Sequence, residues 1–235
     1  FGLSDIILNG TKGDDLLIVD FDNGNPLPSK GIKGAGPLTP GEPATKFNTD
    51  PADDGGFDTI TLRGDHQFDF ETILMTDSDG GKIMFEPTLV GAPLQNFGSL
   101  TADILWTTTS IEFDYLEPIN DLVIVNDGFA IHAPDNVDTE INVINGPFVL
   151  GYETFQVSSG AVKTFEEVNF ANKKFVHVYG SDDVGATGKG NDVITLFTDD
   201  GDAPKLLSQI SLWGGGDQTD FSDDYFVVRP SADFP

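Results

Sequence analysis

Gly188-Lys189-Gly190-Asn191-Asp192-Val193-Ile194-Thr195-Leu196 is the stretch of sequence that decides the fold. Its glycines allow a tight turn with positive φ, and Asp192 supplies a hard oxygen ligand at that turn. The alternating apolar residues that follow have the period of a half-buried β-strand. The stretch therefore predicts a calcium-binding turn that leads directly into a strand.

The same phrase occurs twice more, in residues 10–19 and 55–62. It reads Gly, any residue, Asp, any residue, apolar, any residue, apolar. Each copy predicts a calcium-bound corner at the start of a strand. The metal-site residues predicted from the three copies are Gly13, Asp14, Asp15, Gly56, Asp58, Gly190, Asn191 and Asp192.

Two further stretches keep only part of the phrase. Residues 120–125 keep the Asp and the alternation but have no preceding glycine, which indicates a strand whose calcium turn has been lost. Residues 214–220 keep the glycines and the acids but lack the apolar position. In that stretch we expect Asp217 or Asp220 to bind calcium.

The charge of the chain supports a cation as ligand. It has 39 acidic and 12 basic residues, and its formal net charge is −27. So much negative charge opposes the compact state unless a counter-ion relieves it, although adaptation to salt is an alternative cause of such acidity. The same charge argues against binding nucleic acid or an anionic membrane surface.

Other features of composition indicate the compartment. The chain has no cysteine, which in an extracellular protein means that metal and packing replace disulfides. No apolar run reaches the length that spans a bilayer. We therefore expect a secreted protein without a transmembrane segment.

Strand-like runs separated by Gly, Asn, Asp and Pro recur along the whole chain and predict an all-β fold. Phe165–Phe170 is compatible with either a helical turn or a strand. The other predicted strands are Asp5–Leu8, Leu16–Val19, Thr59–Leu62, Phe68–Met75, Lys82–Phe85, Asp103–Trp106, Ile111–Tyr115, Leu122–Val125, Phe129–His132, Glu140–Ile144, Phe148–Leu150, Thr154–Val157, Phe175–Tyr179, Val193–Phe197, Gln209–Trp213 and Tyr225–Val228.

Two architectures fit this pattern. A parallel β-solenoid, similar to a β-helix or β-roll, stacks Gly/Asp-rich turns in register and is favoured by the three phrases. A β-sandwich built from hairpins is the alternative. In either case we predict one domain over residues 1–235, with a Pro/Gly-rich insertion at about residues 22–55 that serves as a decorated turn or a contact surface.

The three phrases resemble the nonapeptide of the repeats-in-toxin, or hemolysin-type, calcium-binding family. The resemblance implies an extracellular bacterial protein, usually exported by type I secretion, that folds when it meets calcium. It also implies that the Asp side chain and carbonyl groups of the turn hold the ion. The matching Asp positions are Asp15, Asp58 and Asp192, the matching glycines are Gly13, Gly56 and Gly190, and the core-facing apolar positions are Leu17, Ile60 and Ile194.

The spacing of the phrases departs from that family. Its repeats stand in tandem, so that ions lie between stacked loops, whereas the copies here are far apart in the sequence. We therefore expect a few isolated calcium sites on a larger β scaffold.

Motifs of catalysis are scarce. The sequence lacks a Gly-x-Ser-x-Gly elbow and a His-Glu-x-x-His zinc helix. A glycosidase needs only two suitably placed carboxylates, so this class stays open. Aromatic residues are candidate sugar platforms, although filling the core is their commoner role. The aromatic residues considered for either role are Trp106, Trp213, Tyr115, Tyr152, Tyr179 and Tyr225.

These observations predict a secreted, calcium-binding structural or adhesive module that assembles at the bacterial cell surface. A surface layer, an extracellular filament and an adhesin are the settings that suit it. Its expected partners are calcium and either further copies of itself or a cell-surface glycan. The alternative is a secreted carbohydrate-active enzyme or carbohydrate-binding domain that uses paired carboxylates.

Overall fold

Sixteen β-strands are the regular elements of the part of the chain that the structure describes. The structure is a computed structural model, and it describes residues 6–10, 13–27, 45–48, 58–86, 109–135, 137, 139–181, 192–198, 207–214 and 225–230. The strands are β1 (Ile6–Asn9), β2 (Leu16–Asp20), β3 (Thr45–Asn48), β4 (Thr59–Arg63), β5 (Gln67–Met75), β6 (Gly80–Glu86), β7 (Thr109–Asp114), β8 (Ile119–Asp121), β9 (Ile124–His132), β10 (Glu140–Asn145), β11 (Phe155–Ser159), β12 (Val168–Phe170), β13 (Phe175–Tyr179), β14 (Val193–Thr198), β15 (Gln209–Trp213) and β16 (Tyr225–Pro230). The all-β class predicted from the sequence is confirmed.

The strands form two mixed sheets of eight strands each. Sheet A has the order β1-β3-β7-β6-β5-β9-β13-β15, and sheet B has the order β16-β14-β10-β11-β12-β8-β4-β2. Most consecutive strands lie in opposite sheets. A strand of one sheet therefore forms the crossover connection between two parallel strands of the other sheet. Neighbours reached in this way are parallel, as in β2 beside β4 and β13 beside β15.

Two antiparallel excursions interrupt this alternation. In sheet A, β5, β6 and β7 follow one another as antiparallel neighbours. In sheet B, β10, β11 and β12 do the same. Because of these excursions, β5 pairs in parallel with β9, and β8 pairs in parallel with β12.

One apolar core joins the two sheets. Phe129 of sheet A and Phe170 of sheet B meet with ring centroids 5.2 Å apart. Of the apolar positions predicted to face the core, Ile60 and Ile194 are fully buried and Leu17 is partly buried against the core. The alternation that follows each Gly-x-Asp phrase therefore places its apolar residues as predicted.

Two strand predictions need correction, and one open alternative is decided. Phe148–Leu150 is not a strand, because Val149 makes only an isolated bridge to Tyr152 across a turn. The predicted strand Leu122–Val125 is wrong in its bounds, since β8 ends at Asp121 and β9 begins at Ile124. Within Phe165–Phe170, the strand alternative is confirmed over Val168–Phe170.

The region predicted as an insertion contains one strand that the sequence did not indicate. β3 (Thr45–Asn48) lies in sheet A between β1 and β7. Its only strongly apolar residue is Phe47, which is buried in the core. The prediction of a strand at Asp103–Trp106 lies outside the described residues.

Candidate functional site

All three Gly-x-Asp phrases lead into strands of sheet B. The first precedes β2, the second precedes β4 beside it, and the third precedes β14 near the other end of the sheet. The structure describes Gly13, Asp14, Asp15, Asp58 and Asp192 of the predicted metal residues. The predicted residues Gly56, Gly190, Asn191, Asp217 and Asp220 lie outside the described part of the chain.

The carboxylate of Asp58 accepts a hydrogen bond from the backbone of the first phrase, residues 10–19. Because Leu16 is in register with Thr59, the preceding residues Asp15 and Asp58 stand side by side. The amide of Asp15 donates a hydrogen bond of 2.7 Å to Asp58 Oδ1, and the amide of Thr59 donates one of 2.8 Å to the Asp15 carbonyl. Asp58 thus connects two turns of the chain that are 43 residues apart.

Asp192 has the same relationship with its neighbouring strand. The amide of Thr139 donates to Asp192 Oδ1 at 3.1 Å. Thr139 directly precedes β10, and Asp192 directly precedes β14, the strand paired with β10. The amide of Ser181 donates to Oδ2 at 2.7 Å. A Cβ atom at Gly180 would collide with this carboxylate, so glycine is required there. The fully buried Asp192 therefore joins three segments of backbone.

A carboxylate oxygen that accepts a backbone hydrogen bond is less available to a calcium ion, so these contacts affect which Asp residues could bind calcium. Both oxygens of Asp192 accept backbone hydrogen bonds, whereas Asp58 uses only Oδ1 for Asp15. Gly13 has φ of 103°, the conformation that the turn demands. Among the described residues, no three acidic or histidine side chains form a group that would hold a metal. The carboxylate oxygens of Asp14, Asp15 and Asp58 are of the type that a hard cation prefers, and carbonyl groups of the turns would have to supply the further ligands.

The stretch at residues 120–125, predicted as a strand that has lost its calcium turn, has a different arrangement in the structure. Asn120 lies in β8, and its Oδ1 accepts a hydrogen bond of 3.1 Å from Nδ2 of Asn169 on β12. Asp121 ends β8 and is fully buried in the core. This interpretation of residues 120–125 is therefore wrong, because Asp121 follows its strand instead of preceding it.

A second acidic cluster surrounds the ammonium group of Lys163. Lys163 Nζ lies 2.6 Å from Glu117 Oε1, 2.9 Å from Glu166 Oε1 and 3.5 Å from Asp79 Oδ1. Burial raises the pKa of the Glu166 carboxyl to about 7, although Lys163 opposes the shift and the charges of Glu117 and Asp79 reinforce it. The lysine already serves as the cation of this cluster.

A row of aromatic side chains crosses the outer face of sheet A. His132, Tyr179 and Trp213 are in register on β9, β13 and β15. The ring centroids of His132 and Tyr179 are 4.3 Å apart and nearly parallel, and those of Tyr179 and Trp213 are 6.0 Å apart. The ring of Tyr179 is therefore stacked between those of His132 and Trp213, and both of its faces are occupied by protein side chains.

One groove on the described part of the chain lacks the features of a glycosidase cleft. A depression of about 310 Å³ on sheet B is lined by apolar side chains such as Leu16, Ile18 and Leu150, with Asp14 and Asp15 beside them and no aromatic residue. A glycosidase needs two carboxyl groups on opposite sides of the sugar, whereas these two acids are consecutive in the chain.

At the edge of sheet B that β16 forms, part of the core is uncovered. Phe226 is in register with the buried Ile194, and Val228 with Leu196, which packs against the core. Paired residues on neighbouring strands point to the same face of a sheet, so Phe226 and Val228 face the core side. They are nevertheless 52% and 68% exposed. The sequence predicted this strand, but its alternation does not reveal that the strand lies at an edge.

Comparison of the chain with protein-family models, with curated proteins and with solved structures gave no match. In the described residues, no helix is long and apolar enough to cross a membrane.

Proposed function

We propose that this protein is a secreted, calcium-binding structural module that self-associates at the bacterial cell surface. The observation that carries the proposal is the uncovered end of the core at Phe226 and Val228. Exposed core-facing side chains on an edge strand favour the addition of another strand. A second copy of the chain is the occupant that we assign to this end.

The strand order supports addition of a second copy. We infer that the two sheets are the two sides of a flattened β-solenoid, in which one coil is a pass through sheet A followed by a pass through sheet B. Both sheets end together, at β1 and β2 on one side and at β15 and β16 on the other. A copy placed head to tail can continue both parallel ladders at once, which makes an open filament instead of a closed dimer.

Calcium has a definite place in this proposal. The phrases at Asp15, Asp58 and Asp192 join neighbouring strands of sheet B, and the net charge of −27 opposes both folding and association. Calcium at the turns would lower that repulsion and tighten the register of the strands. The expected setting is extracellular, where calcium is abundant. The chain has no cysteine and therefore no disulfide that could stabilise it there.

Sedimentation of the protein over a range of concentrations, with calcium and then with excess chelator, tests the proposal. We expect calcium-dependent association that electron microscopy shows as filaments. The double variant Phe226→Lys, Val228→Lys should remain monomeric. Val162→Lys, at a loop residue that is 75% exposed, is the matched control and should associate like the unaltered protein. A protein that stays monomeric with calcium at every concentration would contradict the proposal.

A further inference from the structure

Three charged side chains meet in the core between the sheets. Lys173 Nζ lies 2.6 Å from Asp121 Oδ1 and 3.0 Å from Glu71 Oε2, and all three side chains have zero exposure. Glu71 belongs to β5 of sheet A, Asp121 ends β8 of sheet B, and Lys173 lies where the chain passes from β12 to β13. We call these three residues the core triad.

The backbone holds the core triad in place. The amide of Val125 donates to the Asn172 carbonyl and the amide of Lys174 donates to the Val125 carbonyl, both at 3.1 Å, which fixes Lys173 beside β9. Lys173 Nζ also donates to the Val123 carbonyl at 2.9 Å and lies 4.7 Å from the centre of the Phe129 ring. The amine therefore has little freedom to turn away from Asp121.

As an ordinary buried ion pair, the core triad is poorly compensated. Glu71 Oε1 and Asp121 Oδ2 accept no hydrogen bond from a donor in the described chain, and buried carboxylates without donors are costly. Burial, followed by the negative charge of Asp121, holds the pKa of Glu71 well above its usual range. With its pKa raised in this way, Glu71 keeps its proton and is a neutral acid beside Asp121.

We propose that Lys173 and Asp121 condense to an amide bond, so that the folded chain carries an internal isopeptide cross-link. The inference is independent of the proposed self-association. An amine in contact with a carboxyl group, in a site that excludes water, is arranged for this reaction, because held reactants have a very high effective concentration. Exclusion of water also opposes the reverse hydrolysis.

The reaction balances without any further reactant. A proton first passes from the Lys173 ammonium to the Asp121 carboxylate, which leaves a neutral amine beside a neutral acid. The amine lone pair attacks Cγ of Asp121 while the Glu71 carboxyl donates a hydrogen bond to the carbonyl oxygen. Glu71 then takes a proton from the nitrogen and returns one to the departing hydroxyl. One C–N bond forms, one C–O bond breaks, one water molecule leaves, and Glu71 ends as it began.

Asp121 is the acyl partner and Glu71 the proton carrier. The contact from Lys173 Nζ to Asp121 is the shorter of the two, at 2.6 Å against 3.0 Å for Glu71. The cross-link would tie the end of β8 to the connection between β12 and β13, through two residues that are 52 apart in the sequence. Such a closure restricts the unfolded chain as a disulfide does, in a protein that has no cysteine.

Intact mass spectrometry of the purified, fully denatured protein tests the inference directly. We expect a mass lower than the sequence mass by one water molecule, and a branched peptide that joins Lys173 to Asp121 after digestion. A mass equal to the sequence mass would overturn the inference. So would a deficit that digestion assigns to Lys173 with Glu71, or to a succinimide at an Asp-Gly bond.

Variants separate the roles of the core triad. Lys173→Arg should restore the full mass, and Glu71→Gln should leave most molecules at full mass while circular dichroism still shows the β fold. Lys163→Arg is the matched control, because Lys163 lies equally close to Glu117, at 2.6 Å, but is 39% exposed. The control should keep the deficit. A mass deficit of one water molecule that persists in Lys173→Arg would contradict the assignment. If a variant does not fold, the intact mass of the unaltered protein still decides whether the cross-link exists.

Discussion

Asp58 Oδ1 accepts a hydrogen bond of 2.7 Å from the backbone amide of Asp15, the residue beside it in the register of sheet B. Asp192 accepts one from Thr139 in the equivalent relationship. The Asp of the Gly-x-Asp phrase thus fixes the start of one strand against its neighbour. This structural role stands whether or not the same residue also binds an ion.

Replacement of Asp58 separates the two roles. Asp58→Ala should lower the free energy of unfolding by about 1.5–3 kcal/mol, because it removes a hydrogen bond to a charged acceptor. Asp58→Asn keeps an oxygen acceptor and should recover most of this loss in excess chelator. With calcium, Asn should gain less stability than Asp if the carboxylate is also a ligand. Denaturant unfolding measures each value, and Asp65→Ala, at an exposed position, is the control.

Removal of calcium should destabilise the protein as a whole. The net charge of −27 opposes the compact state, and ions bound only by the folded chain stabilise it by mass action. We expect the melting temperature to rise with calcium concentration and to fall in excess chelator. Calorimetry in calcium, in magnesium and in chelator measures the effect. An identical melting temperature in all three would contradict the calcium assignment.

Stability should fall as the pH rises through the range set by Glu166. Its pKa is raised from 4.5 to about 7 by burial, so the folded state binds a proton that the unfolded state has already released. This contribution is fully present below about pH 4.5 and is lost as the pH rises through about 7. Glu166→Gln should remove the dependence, which amounts to at most about 3 kcal/mol. Glu153→Gln, at an exposed residue, should preserve it when unfolding is measured across this range.

The aromatic row on sheet A should contribute to stability through stacking. Tyr179 lies between His132 and Trp213, and replacing it with leucine should cost about 1 kcal/mol beyond the change in buried area. Tyr179→Phe keeps the ring and should leave thermal unfolding nearly unchanged. Equal losses for the two variants would mean that the hydroxyl group, not the stacked ring, matters.

Alternation in the sequence was sufficient to locate most strands, because each half-buried strand carries its own period of two. It missed β3, where Phe47 is the only strongly apolar residue. It placed a strand at Phe148–Leu150, where Pro147 and Gly151 enclose a turn. Apolar content alone does not distinguish such a turn from a strand.

The candidate sites were harder to predict than the strands. The phrases indicated Asp58 and Asp192 as ligands, but their hydrogen bonds to neighbouring backbone depend on which strands become neighbours. The core triad left no local signal, because Lys173 is 102 residues from Glu71 and 52 from Asp121. Such a group is visible only after the topology brings its members together.

The two antiparallel excursions constrain the order in which the chain can fold during synthesis. β8 (Ile119–Asp121) lies between β4 and β12, and β12 (Val168–Phe170) comes about fifty residues later in the chain. A nascent chain therefore cannot complete the middle of sheet B until β12 has left the ribosome. Long separations of this kind slow folding. The middle of sheet B is thus closed late, although its strands lie at the centre of the finished sheet.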